Sequence, residues 1–238
     1  MQEPVDWRKD VIRPALVLNV GGFCPTGELT KSCFGEVRAG LPGELWPTFN
    51  NRPLWPLCQL NLLDACFCPE ALSDIALITL FIAKDYMGST DSVIDSSASN
   101  PNSSWFLRSY KTLEGLQPVT GPDHASPLRP YECKWSEAVV EDYPTHDTIP
   151  IDFDALDIGE YYDQKGVHTA DGTKLLGWPD CIQSEPWWEC KPEGKDFDYL
   201  FQVDSEEKSG WYWGDGGAGY FARDRNNPNR WALDYQFY

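Results

Sequence analysis

The segment GWYWGDGGAGYF, residues 210–221, places three glycines in the spacing G-x-G-x-x-G, which holds a pyrophosphate in dinucleotide-binding proteins. That function requires a strand before the first glycine and a helix after the last one. Here aromatic residues that favour strands lie on both sides, and the run RDRNNP at residues 223–228 would end a helix within two turns. We therefore predict a hairpin turn at residues 214–217, with no bound nucleotide or other cofactor.

An ordered set of segments around this turn occurs a second time, earlier in the chain. Each copy runs from a turn through a Trp-rich segment to a strand, a connection and a second strand. The copies align at two anchors, Gln59-Leu60-Asn61 with Gln202-Val203-Asp204, and Ala83-Lys84-Asp85 with Ala222-Arg223-Asp224. Apolar runs of strand length predict strands at the anchors, over residues 57–62, 77–83, 199–203 and 219–222.

This order of features indicates an internal duplication, with sheet units at about residues 33–86 and 172–225. The alternative is a chance alignment in a chain that is rich in Trp and Pro. Duplication predicts two mostly antiparallel or mixed sheet units that pack into one globule with few helices. Residues 1–238 then form a single domain. A strand is also expected at residues 15–20, and one or two helical turns at residues 135–143.

The net charge restricts the partners that this chain can bind. Its 238 residues carry a formal charge of −18, from 37 acidic and 19 basic side chains. This balance disfavours nucleic acid and anionic membranes, because phosphate contacts need clustered Lys and Arg. Ten of the acidic side chains fall within residues 132–163, where Lys134 is the one basic residue. We interpret this segment as an acidic insertion and expect a basic partner.

Hydropathy and cysteine content bear on the location of the protein. The N-terminus leads into no apolar run, and the longest apolar stretch, residues 75–83, is too short to cross a bilayer. We expect a cytoplasmic protein on these grounds. In that compartment the eight cysteines remain thiols rather than forming a disulfide framework.

The cysteine pattern does not predict a metal site. Cys66 and Cys68 form a C-x-C pair with Cys58 eight residues earlier, whereas zinc sites use two spaced pairs or added histidines. Buried or half-buried thiols are therefore favoured, and no stoichiometric zinc is expected. The run DFDALD at residues 152–157 has a calcium-like spacing of acids, but it lacks the glycine and the glutamate of a calcium loop.

The three histidines do not form a recognisable catalytic set. His124 and His146 each neighbour an aspartate, but adjacent side chains of an extended chain point in opposite directions. All three, including His168, lie in polar or turn-like segments, so surface positions are favoured over a general base. We predict no catalytic residues.

Three blocks of the second half, LLGWPDCIQ, LFQVDSEE and WYWGDGGAGYF, resemble the bacterial YwqG-like family. The matching positions are Gly177, Pro179, Gln183, Gln202, Asp204, Ser205, Trp213, Gly214, Asp215, Gly217, Tyr220 and Phe221. In the first half, Leu41-Pro42, Trp46-Pro47 and Gln59 resemble an earlier block of that family. The resemblance implies an α+β fold with repeated mixed sheets and no established catalytic residues. Members of the family have been associated with bacterial toxin systems as antidotes.

Two classes of function fit these observations. One is an immunity-type protein that binds and neutralises a basic secreted bacterial toxin. A nuclease is favoured as the toxin, because the active site of a nuclease must bind phosphate. The other is a small-molecule-binding protein or an enzyme with a Trp-lined pocket. An accessory protein whose acidity only keeps it soluble is a third alternative. The absence of a complete catalytic set favours the first class. The residues expected to contact the toxin are the acids Glu141, Asp142, Asp147, Asp152, Asp154 and Asp157 and the aromatic residues Tyr143, Phe153, Tyr161 and Tyr162.

Overall fold

Two antiparallel β-sheets dominate the computed structural model, which describes residues 11–87, 91–99, 102–122, 126–145 and 168–238. Its strands are β1 (Arg13–Asn19), β2 (Cys33–Phe34), β3 (Ala39–Gly40), β4 (Thr48–Phe49), β5 (Arg52–Pro53), β6 (Trp55–Asn61), β7 (Leu77–Ile82), β8 (Val93–Asp95), β9 (Trp105–Tyr110), β10 (Gln117–Pro118), β11 (Tyr131–Glu132), β12 (Lys134–Trp135), β13 (Val140–Asp142), β14 (Lys174–Leu176), β15 (Phe197–Asp204), β16 (Ala218–Asp224) and β17 (Arg230–Gln236).

The helices whose bounds lie within the described residues are few and short. They are α1 (Trp187–Cys190) and two 3-10 turns, Glu70–Leu72 and Pro192–Gly194. The expected scarcity of helices is confirmed for this part of the chain. The fold of the described residues is mostly β, so the predicted α+β class overstated its helical content.

The large sheet has eight strands in the order β12-β1-β14-β15-β16-β17-β8, with β13 also paired to β1. Near one edge of the sheet, β1 pairs with two short strands. Its first half pairs with β13, and its last residues pair with β12. Both partner strands come from the segment that was expected to be an acidic insertion. Residues 132–142 therefore belong to the sheets, and the insertion expected at residues 132–163 does not begin where the charge pattern suggested.

The prediction of one or two helical turns at residues 135–143 is wrong. β12 ends at Trp135, and β13 follows at Val140–Asp142. Trp135 is buried in the main core, where its indole Nε1 donates to the carbonyl oxygen of Asn61 at 2.7 Å. Pairing with β1 satisfies the strand backbone of these residues, so tertiary contacts override the local pattern that favoured a helix.

The small sheet has five strands in the order β11-β2-β6-β7-β9 and packs face to face on the large sheet. Leu60, Leu80 and Leu107 of the small sheet share one buried cluster with Phe201 and Phe221 of the large sheet. Because alternate residues of a strand point to opposite faces, this core uses one face of each sheet. The eight-stranded and five-stranded sheets therefore form a two-layer β-sandwich, and two further two-stranded sheets are formed by β3 with β10 and by β4 with β5.

The strands at the four sequence anchors lie where they are predicted. β6 and β7 occupy the positions predicted at 57–62 and 77–83, β15 and β16 contain those predicted at 199–203 and 219–222, and β1 covers most of 15–20. Nearly every residue of β6, β7 and β16 is buried, since connections cover the outer face of each sheet. Burial on both faces explains why these strands read as continuous apolar runs.

The glycine segment is a turn, as predicted. Trp213 and Gly217 form an antiparallel bridge in which Gly217 N donates to Trp213 O at 2.8 Å. Between them Gly214 and Gly216 have φ angles of 59° and 75°, which other residues rarely adopt. A Cβ atom at Gly217 would lie 1.7 Å from the carbonyl oxygen of Gln236. The glycines therefore serve the turn and the close approach of β17, and β16 rather than a helix follows them.

The central strands of the two sheets share two details. The β6–β7 and β15–β16 pairs each contain a register shift typical of a β-bulge. One residue after each bulge lies a fully buried glutamine, Gln59 in the small sheet and Gln202 in the large one. The first sequence anchor thus falls at the same strand position in both sheets.

The second sequence anchor is out of register. Opposite the two glutamines the strands place Thr79 and Tyr220. Ala83 lies four residues after Thr79, and Asp224 lies four residues after Tyr220. Ala83 therefore corresponds in position to Asp224 and not to Ala222. The shared Ala-basic-Asp letters misled the alignment, because the first set lies after the end of β7 and the second lies within β16.

Candidate functional site

A buried ion pair joins Asp142 of β13 to Lys174 of β14. Both side chains are 0% exposed, and Lys174 Nζ lies 2.8 Å from Asp142 Oδ2. The carboxylate also accepts hydrogen bonds from Trp178 N at 2.7 Å and from Ala170 N at 2.5 Å. The ammonium group donates to Ala170 O at 2.7 Å. Each charge is therefore compensated by its partner and by backbone groups.

Burial and charge act in opposite directions on Lys174. Removal from water lowers the pKa of its ammonium group, whereas the charge of Asp142 raises it. Gly177 lies against the pair with a φ of 71°, and a Cβ atom there would be 1.9 Å from Asp142 Oδ2. Glycine at this position lets the carboxylate reach the backbone, so the pair is a structural element of the sheet edge.

The ion pair also lies where the chain enters and leaves residues 146–167, which are outside the described residues. Tyr143 follows Asp142, and its backbone N–H donates to His168 O at 3.3 Å. Thr169 Oγ1 donates to Tyr143 O at 2.7 Å. The described residues on both sides of the acidic segment therefore meet beside the pair.

Three further carboxylates, Asp171, Asp180 and Asp204, lie close enough to influence one another; we name them the acidic edge. The pKa of Asp180 is raised to about 6: burial is the largest cause, the charge of Lys174 opposes it, and the charges of Asp171 and Asp142 add to it. The pKa of Asp204 is also raised to about 6, chiefly by burial and in part by the charges of Asp180 and Asp171, against a backbone hydrogen bond from Ser205 that lowers it. No lysine or arginine of the described residues forms an ion pair with the acidic edge.

The sequence of this chain matches the model of one protein family, described as a domain of unknown function (DUF1963), over residues 40–228. The chain belongs to the DUF1963 family. The matched part of this DUF1963 chain includes the central strands of both sheets, the buried ion pair and the acidic edge. A comparison with curated proteins found no match. Among the described residues, no helix has the length and apolar character needed to span a membrane.

Three of the ten residues predicted to contact a toxin lie in the described part of the DUF1963 chain. Glu141 is exposed. Asp142 is completely buried in the ion pair and Tyr143 is 6% exposed, so the structure offers neither as a surface contact. This corrects the expectation for those two residues. The other seven lie outside the described residues: Asp147, Asp152, Phe153, Asp154, Asp157, Tyr161 and Tyr162.

The acidic edge was missed by sequence reasoning because its three residues are distant in the chain. Asp180 and Asp204 lie in two of the blocks that carry the family resemblance, LLGWPDCIQ and LFQVDSEE. Gln202 connects these blocks, since its Oε1 accepts a hydrogen bond from Asp180 N at 3.0 Å. The two blocks therefore contained a sequence signal for this site. Only the fold shows that they bring Asp180 and Asp204 close together.

The thiols of the DUF1963 chain are mostly protected. Cys33 and Cys58 are buried, and burial raises the pKa of both thiols well above the usual value. Burial also raises the pKa of Cys133 to about 12, so these three groups are not activated nucleophiles. Cys66 is exposed, contrary to the buried or half-buried position expected for it, whereas Cys68 is half-buried.

Metal and histidine chemistry receive no support from the described residues. They contain no group of three or more His, Cys, Asp or Glu side chains arranged to hold a metal ion. His168 is exposed, as predicted. His124 and His146, like the DFDALD run, lie outside the described residues. The expected absence of zinc and of catalytic residues stays a prediction.

The raised pKa values of Asp180 and Asp204 predict that stability falls as pH rises. Unfolded aspartates titrate near pH 3.9, whereas Asp180 and Asp204 titrate at about 6 in the folded chain. Between these values the folded state binds more protons, so the free energy of unfolding should decrease by about 2–4 kcal/mol from pH 4.5 to pH 7.5. Urea unfolding at both pH values measures this decrease.

A matched pair of variants separates this effect from general acidity. Asp180→Asn should be more stable than the wild type at pH 7.5 and should show a smaller decrease, because it cannot ionise. Glu114→Gln, at an exposed site, should retain the full decrease. An identical pH dependence in wild type and Asp180→Asn would contradict the assignment.

Proposed function

We propose that this protein is an immunity-type binding protein, which holds and neutralises a basic protein toxin through its acidic surface. The observation that carries the proposal is the acidic edge. After burial, neighbouring negative charges help to raise the pKa of Asp180 and of Asp204, and the nearest buried cation, Lys174, is already committed to Asp142. In the isolated chain this charge is repulsive, and a lysine- or arginine-rich partner would relieve the repulsion.

The electrostatics favour a nuclease as the partner. A nuclease must present cationic groups to the phosphates of its substrate, and carboxylates can occupy the same positions. Long-range attraction would also speed association at low ionic strength. Binding should therefore weaken when salt is added and when the pH falls below about 6, since Asp180 and Asp204 then become neutral.

The proposed contact surface extends the predicted one and removes its buried members. It combines Glu141, the acidic edge and the acids and aromatic residues within 146–167, whose flanking chain meets beside the ion pair. Aromatic anchors would supply binding energy while the charges supply rate and selectivity. Asp142 and Tyr143 are buried, so in this proposal they hold the surface in place and do not contact the toxin.

We also infer that the two sheets arose by duplication and that the resemblance to the YwqG-like family reflects common ancestry. The shared bulge and buried glutamine support this inference. A further parallel is a hydroxyl that receives a strand N–H: Asn61 N donates to Ser32 Oγ at 2.9 Å, and Asp204 N donates to Thr173 Oγ1 at 3.0 Å. Association of that family with toxin antidotes supports the immunity proposal.

Co-expression with the candidate toxin encoded by the neighbouring gene tests the proposal. The test variant carries amides at Glu141, Asp147, Asp152, Asp154 and Asp157, with Asp142 left unchanged to protect the fold. A control variant removes the same charge from exposed acids elsewhere: Glu28, Glu70, Asp85, Glu114 and Glu193. We expect wild type and control to protect cells and the test variant to lose at least about tenfold in affinity. Equal protection by all three proteins would reject the proposed surface.

A further inference from the structure

A cavity of about 620 Å³ opens at one end of the small sheet. Its lining comes from the hairpin of β4 and β5, from the start of β6 and from the residues that follow β7. These elements meet because Trp55, the first residue of β6, pairs with Ile82, the last residue of β7. Small-molecule sites commonly have volumes of about 300–1,000 Å³, so this cavity is large enough to hold such a ligand. The ion pair and the acidic edge belong to the large sheet, so the cavity is a separate feature.

The β4–β5 hairpin is held in place at its tip and at its base. Asn50 and Asn51 form its two-residue turn, with φ angles of 50° and 61° that asparagine adopts more readily than most residues. At the tip, Asn50 N donates to Asn102 Oδ1 at 2.9 Å. At the base, Leu54 N donates to Pro47 O at 3.0 Å. The hairpin therefore supplies a preformed wall, which lowers the cost of ordering the site when a ligand binds.

Two aromatic residues, Phe49 and Trp55, line the cavity. Both pack against the main core but are only half-buried, so each keeps part of its surface exposed. Pro53 lines the cavity beside them and is also half-buried. Exposed ring surface of this kind favours an aromatic ligand, through apolar contact and ring stacking.

Two cationic side chains, Arg52 and Lys84, also line the cavity, against one acid, Asp85. Arg52 Nη1 lies 4.0 Å from Asp85 Oδ2, and the two side chains are 82% and 75% exposed, so this ion pair is weak. Lys84 is exposed and forms no ion pair with the described residues. The described lining thus carries one net positive charge, in a chain whose formal net charge is −18.

A second cavity, of about 380 Å³, shows how closely paired cations differ from these. Arg223 and Arg225 line it. Arg223 Nη1 lies 2.7 Å from Asp74 Oδ1, and Arg225 Nη1 lies 2.7 Å from Asp198 Oδ1. Those guanidinium groups already have carboxylate partners at close range. The cations of the first cavity keep N–H donors available for an anion.

We propose that the cavity beside the β4–β5 hairpin binds an aromatic carboxylate. Phe49 and Trp55 would contact the ring of the ligand, and Arg52 can donate two parallel hydrogen bonds to its carboxylate. Lys84 adds a further charge-assisted hydrogen bond. One net positive charge suits a monoanion better than a dianionic phosphate ester, which the negative charge of the whole chain also repels more strongly. This inference goes beyond the proposed toxin binding and does not depend on it.

Calorimetric titration of the wild-type protein at pH 7.5 tests the inference with four probes. Benzoate has the ring and the charge, benzamide has the same shape without the charge, and acetate has the charge without the ring. Phenyl phosphate carries the ring on a dianion. We expect benzoate to bind at least about tenfold more tightly than benzamide or acetate, and more tightly than phenyl phosphate.

The same titration can overturn the inference. A smaller advantage of benzoate over either control, or no benzoate binding at concentrations up to about 20 mM, would reject the site. Tighter binding of phenyl phosphate than of benzoate would reject the carboxylate as the ligand class.

Variants at exposed positions then locate the ligand. Arg52→Gln and Lys84→Gln should each weaken benzoate binding by about three- to tenfold. Asp85→Asn should strengthen it by about two- to threefold, because the competing carboxylate is removed. Lys111→Gln, at an exposed lysine outside the cavity lining, should leave binding unchanged, and thermal unfolding checks that each variant is folded. Unchanged binding in both Arg52→Gln and Asp85→Asn, or an equal loss in Lys111→Gln and Lys84→Gln, would show that benzoate does not bind in this cavity.

Discussion

Replacement of Lys174 by methionine is expected to lower the free energy of unfolding by about 3–5 kcal/mol, the largest effect that we predict for a single side chain. Methionine fills much of the same volume, but it leaves the Asp142 carboxylate charged and buried without its cation. Asp142 would retain only the hydrogen bonds from Ala170 N and Trp178 N. Urea unfolding followed by tryptophan fluorescence measures the loss.

Two further variants establish that the charge is the cause. Lys174→Met combined with Asp142→Asn should be more stable than Lys174→Met alone, because the amide oxygen still accepts a backbone bond and no unpaired charge is buried. Lys134→Met removes an exposed ion pair with Glu137 and should cost less than about 0.5 kcal/mol. A loss in Lys174→Met no greater than in Lys134→Met would show that the buried pair does not stabilise the sheet edge.

The second large effect is expected for Gln59→Leu, which should lower the free energy of unfolding by about 3–4 kcal/mol. Gln59 Oε1 accepts hydrogen bonds from the backbone N–H groups of Arg38 and Ala39, both at 3.0 Å. Its Nε2 donates to Leu29 O and Lys31 O, both at 2.9 Å. Leucine is similar in size, but it would leave four backbone groups without these partners, each at a cost of about 1–3 kcal/mol before relaxation.

The other glutamine and an exposed one provide the comparison. Gln202→Leu should cost less, about 2 kcal/mol, because Gln202 bonds to fewer backbone groups, Asp180 N at 3.0 Å and Gly172 O at 2.8 Å. Gln117→Leu, at an exposed site, should change the free energy of unfolding by less than about 0.5 kcal/mol. Equal losses for all three leucine variants would contradict the assigned role of Gln59.

The sequence predicted the central strands well because their signal is local. A strand that is buried on both faces can be predicted from an apolar run of six or seven residues. The glycines at 214–217, between aromatic strand formers, likewise predict a turn from local sequence alone. The helical expectation at residues 135–143 failed for the opposite reason. Whether those residues form helix or strand depends on β1, more than a hundred residues earlier in the chain.

The candidate site shows the same division. A run of acids suggested a charged surface, and Glu141 fits that interpretation. Nothing local could show that the next residue, Asp142, would be buried against Lys174, 32 residues later. The acidic edge was equally hidden, because Asp171, Asp180 and Asp204 come together only through the pairing of β14 with β15 and the loop between them.

The salt dependence of toxin binding tests the central claim most directly. Dissociation constants of the complex between the purified protein and its toxin would be measured from about 50 to 300 mM NaCl at pH 7.5, for the wild type and the five-amide variant. If the acidic surface forms the interface, the wild-type constant rises at least about tenfold over this range, and the variant binds more weakly with a flatter dependence. Equal constants for the two proteins, unchanged by salt, would contradict the account.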